Sequence, residues 1–304
     1  MITKTEKRKI PPLSCIIFSL LFIYLFIMCV MMVWTLFTTV KTVNEYTVGG
    51  AEFDFNGNKL WFAGKDGWTL KNYITAWRLF DVKVEETNMS YNIIAQFTNS
   101  LLYSVGCAAA VTVTSLVMGY ATARFTYRLS GYIYAFVLVT LALPIVGSMP
   151  SEMAVADALN ILDTFPGLWI MRANFLNTYF LIFFAQFKMI PMDYTEAAKI
   201  DGANPLAIMC KIIVPLAMNT TSTVFVLSFI AYWNDYQIPM LYLPTHPVAA
   251  WGMYRFVNDP LSTEISNTPT RLAGVCLMAL PIVVFYAAFN KKLNVNLSVG
   301  GIKG

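Results

Sequence analysis

The chain has 304 residues, of which 57% are hydrophobic and only 12% charged, with a formal net charge of +4. Soluble domains carry about 25% charged residues, so half that share points to lipid as the solvent and excludes an ordinary water-soluble globule. The five cysteines (Cys15, Cys29, Cys107, Cys210 and Cys276) are isolated and mostly in apolar stretches. They give neither a disulfide framework nor metal-ligand spacing, and they read as small buried hydrophobes.

Six uncharged runs read as candidate membrane segments: 10–40, 87–123, 129–151, 173–187, 212–234 and 272–290. A helix needs about 20 apolar residues to cross a bilayer core, and five of the six meet or nearly meet that length. The stretch 173–187 is short; it spans if Lys188 snorkels and the helix borrows Met171 and Ile190. The expectation is an all-α, multi-pass membrane protein with six transmembrane helices. The first stretch follows Lys4, Lys7, Arg8 and Lys9, as in a signal peptide. It is too long for a signal-peptide core and no small-residue cleavage site follows, so it is expected to remain as an anchor. With the N-terminus placed in the cytoplasm, 12 of the 21 Lys and Arg fall inside, and the inner side sums to +8 against −4 outside. Basic excess on the inner loops fixes orientation, with both termini cytoplasmic, and requires no nucleic-acid partner.

In chain order, a basic tail leads into a first helix rich in Leu, Ile, Phe and Met, suited to lipid and to packing against a partner. Residues 41–86 form the longest polar stretch, on the outer side, with Trp61, Trp68 and Trp77 among glycine turns. These tryptophans suit either a sugar or docking protein, or anchoring at the membrane interface. The second helix opens at Thr98-Asn99-Ser100 and continues with Ser104, Gly106, Ala108, Thr112, Ser115 and Gly119. Small residues of this kind let helices approach closely in lipid. The third helix carries Pro144, a kink near its outer end. The outer loop 151–172, with Phe165-Pro166-Gly167, is expected to hold a short interfacial helix.

The most informative stretch is 193–215, a polar hairpin within an oily chain. Asp193 and Glu196 have capping-box spacing, so a helix starts near Tyr194. Gly202 can end it in a left-handed conformation. Asn204 and Pro205 read as the cap and first residue of a second helix. Leu206, Met209, Cys210 and Ile213 then form one apolar face at helical spacing. The fifth membrane helix ends at Trp233-Asn234-Asp235-Tyr236; Asp235 suits either a functional site or the capping of irregular backbone. His246 is the only histidine and has no partner in the sequence, so it makes no catalytic site. Pro281 lies inside the sixth helix, and the chain ends in Gly300-Gly301-Ile302-Lys303-Gly304.

The hairpin resembles the EAA loop of ABC-importer permeases. Glu196-Ala197-Ala198 is followed by three residues and Gly202, then nine residues and Ile212, with Val214 where that family usually has leucine before Pro215. Thr98-Asn99-Ser100, Ala121 to Phe125, Trp233 to Tyr236 and the glycine-rich end extend the resemblance over about 92–304, toward the maltose-type, MalG-like permeases. It implies a permease core at 92–290, preceded by a tail, first helix and outer loop at 1–91 and followed by a cytoplasmic tail at 291–304. It further implies a second homologous permease chain, a cytoplasmic ATPase dimer and an extracytoplasmic substrate-binding protein as partners. Glu196, Ala197, Ala198, Asp201, Gly202 and Ala203 would contact the ATPase, with a second contact through Gly300, Gly301 and Lys303. Asn99, Asn219, Asn234 and Asp235 are candidates for lining the pathway. No cofactor, metal or catalytic residue is implied, and the chain lacks the GxxxxGK[ST] phosphate loop of an ATPase. The expected function is half of the pathway of a binding-protein-dependent importer of a sugar or oligosaccharide. The alternatives are a glycerol-phosphate permease and an ion-gradient-driven transporter, which would favour intramembrane carboxylates and inverted repeats. A membrane-bound enzyme finds no clustered nucleophile or acid–base pair in its support.

Overall fold

A computed structural model describes residues 12–42, 46, 68–84, 88–125, 127–143, 147–258 and 267–297. Pro144 and the tail residues Gly300, Gly301 and Lys303 lie outside the described residues. The helices are α1 (Pro12–Thr39), α2 (Lys71–Leu79), α3 (Ile93–Arg124), α4 (Arg128–Ala142), α5 (Met149–Ala158), α6 (Phe165–Arg172) and α7 (Thr178–Met189). They continue with α8 (Asp193–Ile200), α9 (Pro205–Leu216), α10 (Met218–Trp233), α11 (Gln237–Tyr242), α12 (Ala249–Asn258) and α13 (Thr268–Leu297). The all-α expectation is modified by one small antiparallel hairpin, β1 (Val82–Val84) and β2 (Met89–Tyr91), in the register Val82↔Tyr91, Lys83↔Ser90, Val84↔Met89. By its contacts the chain forms two units, 1–79 with 259–277, and 80–258 with 278–304.

In the first unit α1 is apolar on every side and its side chains from Ile16 to Met32 are exposed, as expected of a helix that meets lipid or another chain. Its last turn is tied to α2. The Asn72 amide donates to the Thr39 and Lys41 carbonyls at 2.7 Å each, and the Thr39 and Tyr73 hydroxyls share a hydrogen bond of 2.9 Å.

The second unit is built around α3, on which α6, α7, α10 and α12 pack. The helix begins at Ile93, five residues before the expected Thr98, because Asn92 caps it by accepting from Ala95 N–H at 2.9 Å. Its small residues face inward: Ser100, Ser104, Cys107, Ala108, Thr112, Ser115 and Gly119 are all buried. A Cβ at Gly119 would lie 2.8 Å from the Phe183 Cβ, so only glycine permits α7 to come this close. Two apolar clusters share the unit. One gathers Tyr103, Phe229, Trp233, Tyr242, Trp251 and Met278. The other gathers Leu116, Tyr120, Phe183, Phe187, Ile208 and Ile213, next to the hairpin.

Among the described residues three helices are long and apolar enough to cross a membrane: Ser14–Thr39, Ile93–Arg124 and Thr268–Ala287. The other expected spans fall on α4, α7 and a pair, α9 and α10, bent by 77° at Ala217. The helix α7 does not borrow Met171 or Ile190. It has 12 residues, and Asn177 fixes its start by accepting from Phe180 N–H at 3.1 Å while Ile190 caps its end. Met171 belongs to α6. The segment expected to hold one short helix carries two, α5 and α6.

Candidate functional site

The hairpin 193–215 is where sequence and geometry converge. Its first arm, α8, has Met192 at its cap: the Met192 carbonyl accepts from Thr195 and Glu196 N–H at 2.8 and 3.0 Å. The expected capping box therefore does not form. Asp193 sits one position inside the helix, so both acids occupy the first turn, where negative charge complements the free N–H groups. At the other end Gly202 has φ +78°. Gly202 N–H donates to Lys199 O at 3.0 Å and Ala203 N–H to Ala198 O at 2.9 Å. This pair of bonds is a Schellman cap, which requires a left-handed residue at the glycine position. The second arm starts as expected, with Asn204 Oδ1 accepting from Ala207 N–H at 2.7 Å and Pro205 behind it.

The apolar face of α9 differs from expectation. Leu206 and Cys210 are exposed, and the buried residues are Ile208, Ile213 and Ala217. The cause is a π-turn over Met209–Ile213. Pro215 has no N–H to donate to residue 211 and its ring crowds that carbonyl; a wider turn relieves the conflict. Ile208 and Ile213, five apart, then share one side.

The hairpin is two-faced. Thr195, Ala198, Ile208 and Ile213 point into the chain's own core. Glu196, Ala197, Asp201 and Gly202 are exposed and Ala203 is half-buried. The small side chain of Ala198 thus serves close approach within the chain. Sequence reasoning missed the apolar part of the outward face: Ile200 is 86% exposed, Leu206 66% and Tyr194 50%. No local composition signal marks these apolar residues as exposed.

The four pathway candidates are not brought together. Asn219 stands at the start of α10 and Asn234 and Asp235 just past its end, about 24 Å away at 1.5 Å per residue. Asn99 donates to the Pro247 carbonyl at 3.0 Å. Asp235 Oδ1 accepts from Gln237 and Ile238 N–H at 3.0 and 3.2 Å, and Oδ2 accepts from the Tyr103 hydroxyl at 2.9 Å. Of the two readings of Asp235, this is the capping one. Asn234 and Asn219 are exposed. An additional cleft of about 310 Å³ lies between α3 and α10, lined by Ala109, Thr112, Val113, Thr221, Ser222 and Phe225. His246 does have a partner: its Nδ1 lies 3.3 Å from Asp163 Oδ1, and the Thr245 hydroxyl donates to Asp163 Oδ2. A separation of 83 residues hid that pairing; Asp163 itself has φ +57°.

A polar two-helix arm set into a bundle of apolar helices, with its charged residues turned outward, defines a membrane permease of the ABC-importer class. The fold agrees. A bacterial ABC transporter involved in import of the acidic polysaccharide alginate has a chain that superposes with a TM-score of 0.72 over 95% of this chain and 99% of its own, at 19% identity. Residues 112–294 match the family of binding-protein-dependent transport system inner membrane components, and the chain belongs to that family. Among its relatives is the trehalose transport system permease protein SugB of Mycobacterium tuberculosis, 31% identical over 68% of this chain and 78% of the relative. Another is the maltodextrin transport system permease protein MdxG of Bacillus subtilis, 24% identical over 93% of this chain and 95% of the relative.

Proposed function

We propose that this permease forms half of the translocation pathway of an importer for a sugar or oligosaccharide, paired with a second homologous permease chain. The observation that carries the reading is the two-faced hairpin: Glu196, Asp201 and Gly202 outward, Ala198, Ile208 and Ile213 locked inward. A cytoplasmic ATPase dimer would receive the outward face in a groove, with Glu196 and Asp201 as polar contacts, Ala197 and Ala203 allowing close approach and Gly202 setting the elbow. Gly300, Gly301 and Lys303 supply a second contact. Closure of the ATPase pair on ATP moves the hairpin, and the inward face carries that movement to the membrane helices. The pathway then opens toward an extracytoplasmic binding protein. The chain hydrolyses no nucleotide itself, and both of its termini are cytoplasmic. Relatives named for trehalose and maltodextrin support a carbohydrate as solute.

The test is co-expression with the neighbouring permease, ATPase and binding protein, followed by uptake of labelled trehalose and maltodextrin in vesicles, with glycerol-3-phosphate as competitor. ATP-dependent sugar uptake that glycerol-3-phosphate does not inhibit is the expected result. Uptake of glycerol-3-phosphate alone would overturn the carbohydrate reading, and uptake by this chain without any ATPase would overturn the coupling one.

A further inference from the structure

Arg124 is the last residue of α3 and is 8% exposed. Its Nη2–H donates to the Ile190 carbonyl at 2.9 Å and its Nη1–H to the Met192 sulfur at 2.7 Å. Ile190 is the cap residue closing α7 and Met192 the cap residue opening α8. One guanidinium therefore grips both sides of Pro191, the single residue through which the membrane helix passes into the hairpin. The Ile190 carbonyl stands at a helix end, where the ladder supplies no donor, and Arg124 provides one.

Cohesion alone does not explain an arginine here. The joint is already packed by apolar groups. Tyr120, one turn back on α3, meets Phe187 of α7 edge-on at 5.6 Å and Phe125 at 6.0 Å. Gly119 lets α3 and α7 touch at Phe183. The guanidinium, by contrast, keeps its Nε–H buried with no hydrogen-bond partner. An unmet buried donor is costly, and an apolar residue of similar volume often stabilises such a position equally well or better. What arginine adds is direction. A planar fork with several donors fixes orientation where an apolar contact can slide.

We propose that Arg124 is a positioning residue that ties the hairpin entry to α3, so that hairpin and α3 move as one body during the transport cycle. The proposal rests on the reading of the hairpin as the ATPase contact. The helix it engages is the one on which α6, α7, α10 and α12 pack, so displacement at 190–192 reaches the centre of the unit directly.

The experiment uses the assembled transporter in lipid: this chain, its partner permease, the ATPase pair and the binding protein. Arg124→Gln should leave ATPase co-purification and nucleotide hydrolysis in place while lowering solute moved per ATP by about fivefold or more, the low end of ordinary coupling factors. Arg124→Lys retains the charge without the planar fork and should restore part of that ratio. A wild-type ratio in Arg124→Gln overturns the proposal. Failure of the hairpin reading looks different: Gly202→Val would then leave both co-purification and uptake untouched. If Arg124→Gln does not accumulate, spin labels at Phe125→Cys at the end of α3 and Lys199→Cys on α8, both exposed positions, decide the matter in a chain that keeps Arg124. An equal label separation in the nucleotide-free and ATP-trapped states is expected, and a separation that changes between them overturns the tie.

Discussion

The two ends of α10 treat polar residues in opposite ways. Past its C-terminus, Asp235 is committed to three hydrogen bonds, Asn99 to the Pro247 carbonyl, and Asp163 to Thr245 and His246. Before its N-terminus, the hairpin turns Glu196 and Asp201 outward beside exposed Ile200 and Leu206. The first set holds irregular backbone together where helices give way to loops. The second set has its polar groups and a sizeable apolar area free for another surface, and large exposed apolar side chains beside charge are what a protein interface uses. The difference separates residues that a substitution should destabilise from residues that it should disconnect.

The largest expected effect on stability lies at the committed end. Asp235→Ala removes an acceptor from two backbone N–H groups and from the Tyr103 hydroxyl, which is 1% exposed as a residue. Leaving the Tyr103 hydroxyl unmet costs about 1–3 kcal/mol, while the Gln237 N–H is exposed and can turn to water. Thermal unfolding of the purified complex should shift down, while solute moved per ATP in the surviving complex stays unchanged. A changed transport ratio at normal stability would make Asp235 a pathway residue after all.

Gly202→Val comes next. Any side chain at φ +78° is strained by roughly 1–3 kcal/mol, and valine more than most. A Cβ at Gly202 meets nothing within 4 Å, so the cost is backbone alone and stays within the hairpin. Insertion and pairing with the partner permease should survive, and ATPase co-purification should fall sharply. Normal co-purification at normal expression would show that the Schellman elbow is not part of the contact. Asn204→Ala should act in the same sense but more weakly, since losing an N-cap costs about 1 kcal/mol and the helix retains Pro205. Hydrogen exchange of the Ala207 and Ile208 amides is the direct measure, with faster exchange expected in the variant.

What was legible in the sequence follows from distance along the chain. Gly202, Asn204 and Pro205 make bonds to residues three or four positions away, and local chemistry dictates them. Asp193 was misplaced by one position because a capping box and an acidic first turn have the same residue pattern. The face of α9 was misread because α-helical spacing was assumed through a segment that Pro215 forces into a π-turn. The 77° bend at Ala217 falls between Pro215 and the polar run that starts at Asn219, although the uncharged run itself carries no sign of its angle. Arg124, and the pairing of Asp163 with His246, join residues 66 to 83 positions apart. No local pattern encodes such pairs, although an arginine ending an otherwise uncharged helix is a signal that can be sought.

The smallest expected change in stability, and the sharpest test of the comparison, is Glu196→Ala. Glu196 is exposed in the first turn of α8. Alanine is the better helix former, and what is lost is a charge near a helix N-terminus, worth about 0.3–1 kcal/mol at most on a solvated surface. These terms oppose each other, so unfolding of the isolated permease pair should barely move. Docking is another matter. A carboxylate placed against a complementary site across an interface contributes mainly to partner choice and association rate, and both weaken with added salt. ATPase capture by Glu196→Ala should therefore be slower than wild type at low salt, and the gap should narrow as ionic strength rises. A capture rate equal to wild type at every salt concentration would reduce Glu196 to an ordinary solvated residue. The apolar neighbours Ile200 and Leu206 would then be left as the source of whatever affinity the hairpin has.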